Sequence, residues 1–498
     1  MKNVLEYLEN SAEKFPDKVA FSDETGEITF SEFLIRAKSV GTEIAETVGC
    51  IKKPIAVMTG RDFTSLVYFF GVLYSGNYYI PIDADMPKAR MDSVLEKLSP
   101  EAVLYQTDKQ IKNTDEKYRR INPCEKKVSE EILRDCRRRV LDIDPVYVIF
   151  TSGSTGVPKG IVISHRAVID FIEWMSGAIG YNSEDVFANQ APFYFDCSVK
   201  DVYLTMKLGA TDHIIPKKFF MFPTMLIDFL NEKKVTALTW ATSGFNLVSS
   251  SGILQKKIPM HLKKVAVGGE AMLAAHLNNW KRAMPDVKYV NLYGPTEVTV
   301  DCTYYVVDKD FADTDAIPIG KACENKEVML LDENLLPVKK GEPGEICVRC
   351  IGLANGYYNE PEKTAEVFVK NPHTLYDERI YKTGDIGKED DDGNIIFQAR
   401  KDGQIKHMGY RIELGEIERA MSACKISGIC FFDKERDRIV AVCEGEHSGK
   451  EMAAQLSKLI PKYMLPNIYR NVLKLPYNAN GKIDRVRLKK EYEDDKSE

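Results

Sequence analysis

From residue 1 to about 395, short runs rich in β-branched and aromatic residues alternate with segments of helical period, and this alternation constrains the fold more than any other feature. It is the pattern of α/β units built around largely parallel sheets. Val146 to Phe150 reads as a buried strand that runs into the loop Thr151 to Gly160. A second strand follows at Ile161 to Ile163, then Ser164 as N-cap of a helix whose Val168, Phe171, Ile172 and Met175 form one apolar face. Leu273, Leu277, Trp280 and Met284 mark another such face after a strand ending at Val267. At 498 residues the chain exceeds what one hydrophobic core can organise, so several packed units are expected. Past Arg400 the remaining residues have the size of a small α+β domain, with helical signals at 414–423 and 450–459. The expected division is a body over 1–399, a hinge over 400–403 and a mobile domain over 404–498.

Charge and apolar patterning remove several classes of function. With 68 basic and 74 acidic residues the net charge is −6, and no basic face for nucleic acid stands out. The run Arg137-Arg138-Arg139 is answered by Asp135, Asp142 and Asp144. The amino terminus lacks the apolar core of a signal peptide, and the longest apolar stretch, Leu66 to Tyr74, falls short of the ~18 residues of a membrane span. No membrane insertion and a cytoplasmic location are therefore expected. Eleven cysteines without paired spacing fit reduced thiols; Cys347 and Cys350 form a C-x-x-C without a second pair and read as part of a strand.

Chemistry concentrates first in Thr151-Ser152-Gly153-Ser154-Thr155-Gly156-Val157-Pro158-Lys159-Gly160. Glycines let backbone N–H groups converge on an anion, hydroxyls add donors and Lys159 adds charge, so a polyphosphate is the natural guest. The G-x-x-x-x-G-K-[ST] pattern is absent, which argues against a P-loop enzyme. The loop resembles the phosphate-binding signature of the adenylate-forming superfamily, which includes acyl-CoA synthetases, luciferases and the adenylation domains of nonribosomal peptide synthetases. Further motifs of that superfamily follow in order: Tyr293-Gly294-Pro295-Thr296-Glu297, Tyr381-Lys382-Thr383-Gly384-Asp385, Arg400-Lys401-Asp402, Gly409-Tyr410-Arg411-Ile412-Glu413 and Asn480-Gly481-Lys482-Ile483-Asp484.

That resemblance implies an α/β fold with a large body and a small mobile carboxy-terminal domain, and an AMP-producing ligase using ATP and Mg²⁺. It gives Glu297 the metal, Thr296 the α-phosphate, Tyr293 the adenine ring and Asp385 the ribose hydroxyls. Lys482 would stabilise charge building between the substrate carboxylate and the phosphate. Thr151, Ser152, Gly153, Ser154, Thr155, Gly156, Lys159, Gly269, Glu270, Gly294 and Arg400 complete the expected nucleotide site. Asp402 falls at the family's hinge, and Gly409 and Tyr410 where a pantetheine thiol enters. The chemistry agrees, because in-line attack on the α-phosphate with loss of pyrophosphate requires fixed cations to offset negative charge.

Asp196 matches the acid with which amino-acid adenylation domains hold the substrate α-ammonium; Lys200, one helical turn on, is its alternative partner. The resemblance places Cys197, Lys200, Ser243, Val265, Val267, Leu292, Val300 and Asp301 around the substrate, and Lys200 with Asp301 suggests a polar or acidic side chain such as Glu or Gln. The expected reaction is amino-acid activation, then transfer to the phosphopantetheine of an acyl or peptidyl carrier protein acting in trans. Alternatives are an acyl- or aryl-CoA ligase and the D-alanine:carrier ligase of teichoic acid decoration. Those D-alanine enzymes carry a cysteine in the stretch where this chain has Val267-Gly268-Gly269-Glu270.

Overall fold

The computed structural model describes residues 1–498 except 125, 153–157, 402, 435, 477–482 and 496–498. The chain divides into two compact units, one of Met1–Ala84, Leu98–Ile149 and Gly160–Lys401, the other of Asp85–Lys97, Phe150–Lys159 and Asp402–Glu498. Two short pieces of the body expected from the sequence thus pack with the carboxy-terminal part.

In the first unit the described residues form two large sheets. Parallel strands Val186–Asn189, Ala237–Ala241, Lys264–Gly268 and Lys288–Tyr293 lie side by side in one of them. Pro54–Thr59, Tyr78–Asp83 and Pro145–Thr151 are neighbours in the other. Helices cover these strands, which is why the strands read as continuous apolar runs rather than alternating ones. Local signals agree with the packing. The helix Phe30–Val48 starts on a capping box between Thr29 and Glu32 and ends on Gly49 at φ 70°. Ser164 caps His165–Ile179 by accepting from the Ala167 N–H. Among the described residues, an antiparallel sheet of Lys326–Leu331, Gly344–Cys350, Phe368–Lys370, Arg379–Glu389 and Ile395–Arg400 completes the unit.

Among the described residues two large apolar clusters lie in this unit, with a smaller one around Leu331, Cys347 and Ile380. One gathers Phe21, Phe33, Phe70, Phe171, Tyr203, Leu292 and Val300; the other gathers Trp240, Phe245, Val265, Val267, Leu277 and Trp280. The stacked rings of Phe245 and Trp280, 4.9 Å apart, add about 0.5–1.5 kcal/mol beyond the area they bury. Leu273 is a correction: it precedes the helix Ala274–Ala283 instead of lying on its apolar face, and is 53% exposed. Cys347 and Cys350 are free thiols in the strand Gly344–Cys350. Among the described residues no helix is long and apolar enough to cross a membrane.

The second unit has its own core, with Ile412, Ile417, Met421, Ile439 and Met464 buried. The hairpin Gln404–His407 with Tyr410–Glu413 leads into the helix Leu414–Ala423, and Gly428–Asp433, Arg438–Glu444 and Ile468–Val472 form a small sheet. Within this unit Arg90 and Glu416 form a buried ion pair that joins the segment 85–97 to the helix Leu414–Ala423.

Candidate active site

The site in the first unit is assembled at the carboxyl end of the strand Lys288–Tyr293. Gly294 follows, and a Cβ there would stand 2.4 Å from the Val300 carbonyl oxygen and 2.5 Å from the Asp301 Cα. Only glycine lets the chain double back so closely. Because the obstacles are backbone atoms, Gly294→Ala is expected to cost about 2–4 kcal/mol in denaturant unfolding and to lower activity further by displacing residues 296–301.

Backbone strain marks the returning turn. Thr299 and Val300 are β-branched residues at φ 61° and 68°, a conformation that costs on the order of 1–3 kcal/mol each and persists only when the surroundings impose it. They do so here. The Lys326 ammonium donates to the carbonyls of Val298 (3.2 Å) and Asp301 (2.6 Å), and Thr299 Oγ1 donates to the Gly352 carbonyl at 2.7 Å. The Cys302 N–H donates to the Tyr293 carbonyl at 2.7 Å, and the Ala354 N–H to that of Glu297 at 2.8 Å.

This turn presents three polar groups. Glu297 is fully buried and its Oε1 accepts from the Tyr357 hydroxyl at 2.9 Å. Thr296 Oγ1 donates to Asp196 Oδ2 at 2.5 Å. Lys200 Nζ lies 3.9 Å from Asp301 Oδ2, so the ion pair of Lys200 is with Asp301 rather than with Asp196. Asp196 stands before the helix Cys197–Leu208 with helical backbone angles and makes no side-chain cap, so helix capping does not account for it.

Asp385 lies on the antiparallel sheet. Its two carboxylate oxygens accept from the Tyr293 hydroxyl at 2.6 Å and from Arg400 Nη1 at 2.7 Å. Burial, then the Asp385 carboxylate, holds the Tyr293 phenol well above its usual range, so Tyr293 donates. Thr383 Oγ1 accepts from the Asp385 N–H at 3.0 Å, and Arg400 also reaches the Thr383 carbonyl at 3.3 Å.

Of the residues expected around the substrate, the structure brings Asp196, Lys200, Leu292, Val300 and Asp301 to one side of the sheet. Val265 and Val267 are a correction, for they point into the opposite cluster with Trp240 and Leu277. Strand side chains alternate, so the facing residues are Ala266 and Gly268. Gly268 pairs in register with Leu292, and a Cβ on it would sit 3.3 Å from Asp301 Oδ1. Cys197 and Ser243 are half-buried at the starts of the helices Cys197–Leu208 and Thr242–Ser250. Gly269 takes φ 99°, and Thr242 Oγ1 donates to the carbonyls of Gly268 and Glu270, both at 3.2 Å. Nothing in the sequence singles out Tyr357, Thr242 or Lys326, whose partners come from distant segments.

In the second unit Ser152 Oγ donates to the Arg411 carbonyl at 2.6 Å and accepts from the Glu413 N–H at 3.2 Å, which ties Ser152 to the strand Tyr410–Glu413. Lys159 is half-buried. Gly409 takes φ 81°, and Tyr410 stacks on Tyr463 with ring centroids 3.7 Å apart. Gly153, Ser154, Thr155, Gly156, Asp402 and Lys482 lie outside the described residues.

Among the described residues no three His, Cys, Asp or Glu side chains gather as a metal cage. The buried Glu297 fits a hard cation of the Mg²⁺ kind, which takes one or two protein carboxylates and fills its shell with phosphate oxygens and water.

Comparison with known proteins agrees with this arrangement. Residues 8–358 match the family model of the AMP-binding enzymes. The chain is 31% identical over 497 residues to the zwittermicin A synthase ZmaJ of Bacillus cereus, covering 96% of this chain and 93% of that protein. It is 29% identical over 508 residues to tyrocidine synthase 1 of Brevibacillus parabrevis, where the match takes in 98% of this chain but spans only 45% of the relative's length. A solved nonribosomal peptide synthetase protein, PA1221, containing adenylation and PCP domains and bound to a vinylsulfonamide inhibitor, has the same fold, with TM-score 0.84 at 23% identity over 98% of this chain and 84% of that one. The chain belongs to the AMP-binding enzymes, as an adenylate-forming, AMP-producing ligase of the nonribosomal peptide synthetase adenylation type.

Proposed function

We infer that this enzyme activates an amino acid as its aminoacyl-adenylate, releasing pyrophosphate, and then passes the aminoacyl group to the phosphopantetheine thiol of a separate carrier protein. The observation that carries the reading is Asp196: a half-buried carboxylate with no capping duty, held by Thr296 immediately beside buried Glu297. A carboxylate so placed suits a cationic group of the substrate, which an amino acid's α-ammonium supplies and a fatty or aryl acid does not.

Each remaining group has a task in this scheme. Asp385, steadied by Tyr293 and Arg400, offers acceptor oxygens to the ribose hydroxyls. Glu297 holds Mg²⁺, which offsets charge on the phosphates when bound. Thr296, whose hydroxyl stands on Asp196, positions the α-phosphate next to the bound amino acid. Lys482 stabilises the charge developing on the attacking carboxylate and the α-phosphate. Asp402 serves as the hinge for the second half-reaction, in which Gly409 and Tyr410 line the thiol's path.

Incubation with ATP, Mg²⁺, a labelled amino acid and a phosphopantetheinylated carrier tests the whole reading. Label should appear on the carrier as a thioester cleaved by neutral hydroxylamine, with AMP released in equal amount. Label transferred to coenzyme A and never to a carrier would contradict it.

A further inference from the structure

The Arg90–Glu416 ion pair in the second unit is almost completely buried, with side chains only 6% and 4% exposed. Taking two charges out of water is expensive, and their mutual attraction repays it only in good geometry. Such a pair adds little to stability over apolar residues of the same volume, and its best-attested use is to specify one arrangement against another.

The contacts around the pair show which arrangement that is. Glu416 lies in the first turn of the helix Leu414–Ala423, directly after the strand Tyr410–Glu413. Arg90 Nη1 also lies 3.9 Å from Met464 Sδ, and Tyr463 beside Met464 stacks on Tyr410. Arg90 thus touches both elements that flank Tyr410. Ser152, from another segment, holds the same strand through the Arg411 carbonyl and the Glu413 N–H. The two supporting segments are tied to each other, since Lys97 Nζ donates to the Pro158 carbonyl at 2.9 Å. The supported hairpin is braced internally: Arg411 Nε donates to Gln404 Oε1 at 2.7 Å, and Gln404 Nε2 to Glu413 Oε1 at 2.6 Å.

Chain connectivity decides what a hinge at Asp402 does to these contacts. Asp85–Lys97 and Phe150–Lys159 continue at both ends into segments of the first unit, whereas Asp402–Glu498 is attached at one point. Rotation about residue 402 carries Arg411, Glu413, Glu416 and Met464 together and leaves Arg90 and Ser152 behind. The Arg90–Glu416 pair therefore belongs to one of the two arrangements. It is the one in which the strand expected to line the thiol's path lies on Ser152.

Building on the reading of Asp402 as the hinge between two half-reactions, we propose that Arg90 and Glu416 are positioning residues for thiol transfer. Their ion pair fastens the strand Tyr410–Glu413 and its neighbour Tyr463 while the thiol is accepted, and it opens for amino-acid activation.

Measuring the two half-reactions separately tests this. Pyrophosphate exchange with the amino acid that supports it reports activation; mixing enzyme that holds its preformed aminoacyl-adenylate with excess pantetheine reports transfer. In Glu416→Gln transfer should fall about tenfold or more, because the competent arrangement is populated less, while exchange stays level or rises. A merely structural pair would lower both in step with the melting temperature. If Glu416→Gln does not fold, Glu416→Asp, which keeps the charge but withdraws it by one methylene, carries the same comparison. Equal losses in both half-reactions, or transfer at the wild-type rate, would overturn the proposal and leave activation and transfer standing. A wild type that exchanges pyrophosphate but never loads pantetheine would overturn the thiol reading and this proposal with it, and a wild type without exchange would overturn amino-acid activation itself.

Discussion

Asp196→Ala lowers kcat/KM for the amino acid by about 30- to 4,000-fold, because removing one partner of a desolvated charge pair costs about 2–5 kcal/mol. The KM for ATP should move only a few-fold, and the melting temperature little, since Asp196 does not cap the helix it precedes. Asp196→Asn separates two explanations. Its amide oxygen can still accept from Thr296 Oγ1, so a purely structural role would be rescued by it. A role in holding the α-ammonium would not, because the charge is lost. Steady-state exchange kinetics of the two variants, with melting curves as control, make the distinction.

Asp385→Asn should have an effect of similar size at the other substrate. Asp385 and Arg400 are both largely buried, with Nη1 2.7 Å from Oδ1, and Asn removes the charge that Asp385 offers that guanidinium. Loss of a buried partner costs about 3–5 kcal/mol, which should show in denaturant unfolding. The ribose would also lose an ionised acceptor, so the KM for ATP is expected to rise by about 100-fold while the KM for the amino acid changes much less. Comparable losses for both substrates would point to collapse of the sheet edge rather than to a nucleotide contact.

Much of the architecture could be read from residue patterns. The strand at 146–150, the Ser164 cap and the apolar face of Val168, Phe171, Ile172 and Met175 are local features, and they appear as the helix His165–Ile179 with the strands before it. The helical signal at 414–423 corresponds to Leu414–Ala423. The failures are tertiary. Lys264 to Gly268 is apolar on both faces, so no alternation reveals which residues point towards Lys200, and Val265 and Val267 are the wrong pair. Lys326 reads as a surface charge on a strand, yet it fastens the carbonyls of the strained turn from 25 and more residues away in sequence. Tyr357 reaches Glu297 across 60 residues, and no spacing rule encodes that contact. That 85–97 belongs to the second unit could not be read either, since its Arg90–Glu416 pair joins residues 326 apart. Asp196, Lys200 and Asp301 could be named in advance, but the contacts of Asp196 with Thr296 and of Lys200 with Asp301 needed the fold.

The most direct test of amino-acid activation is exchange of labelled pyrophosphate into ATP, run across the twenty L-amino acids, D-alanine, β-alanine and a set of aryl and fatty acids, with Lys482→Ala as control. Exchange should depend on an amino acid and disappear in the control. Exchange supported only by acids that lack an amine would contradict amino-acid activation.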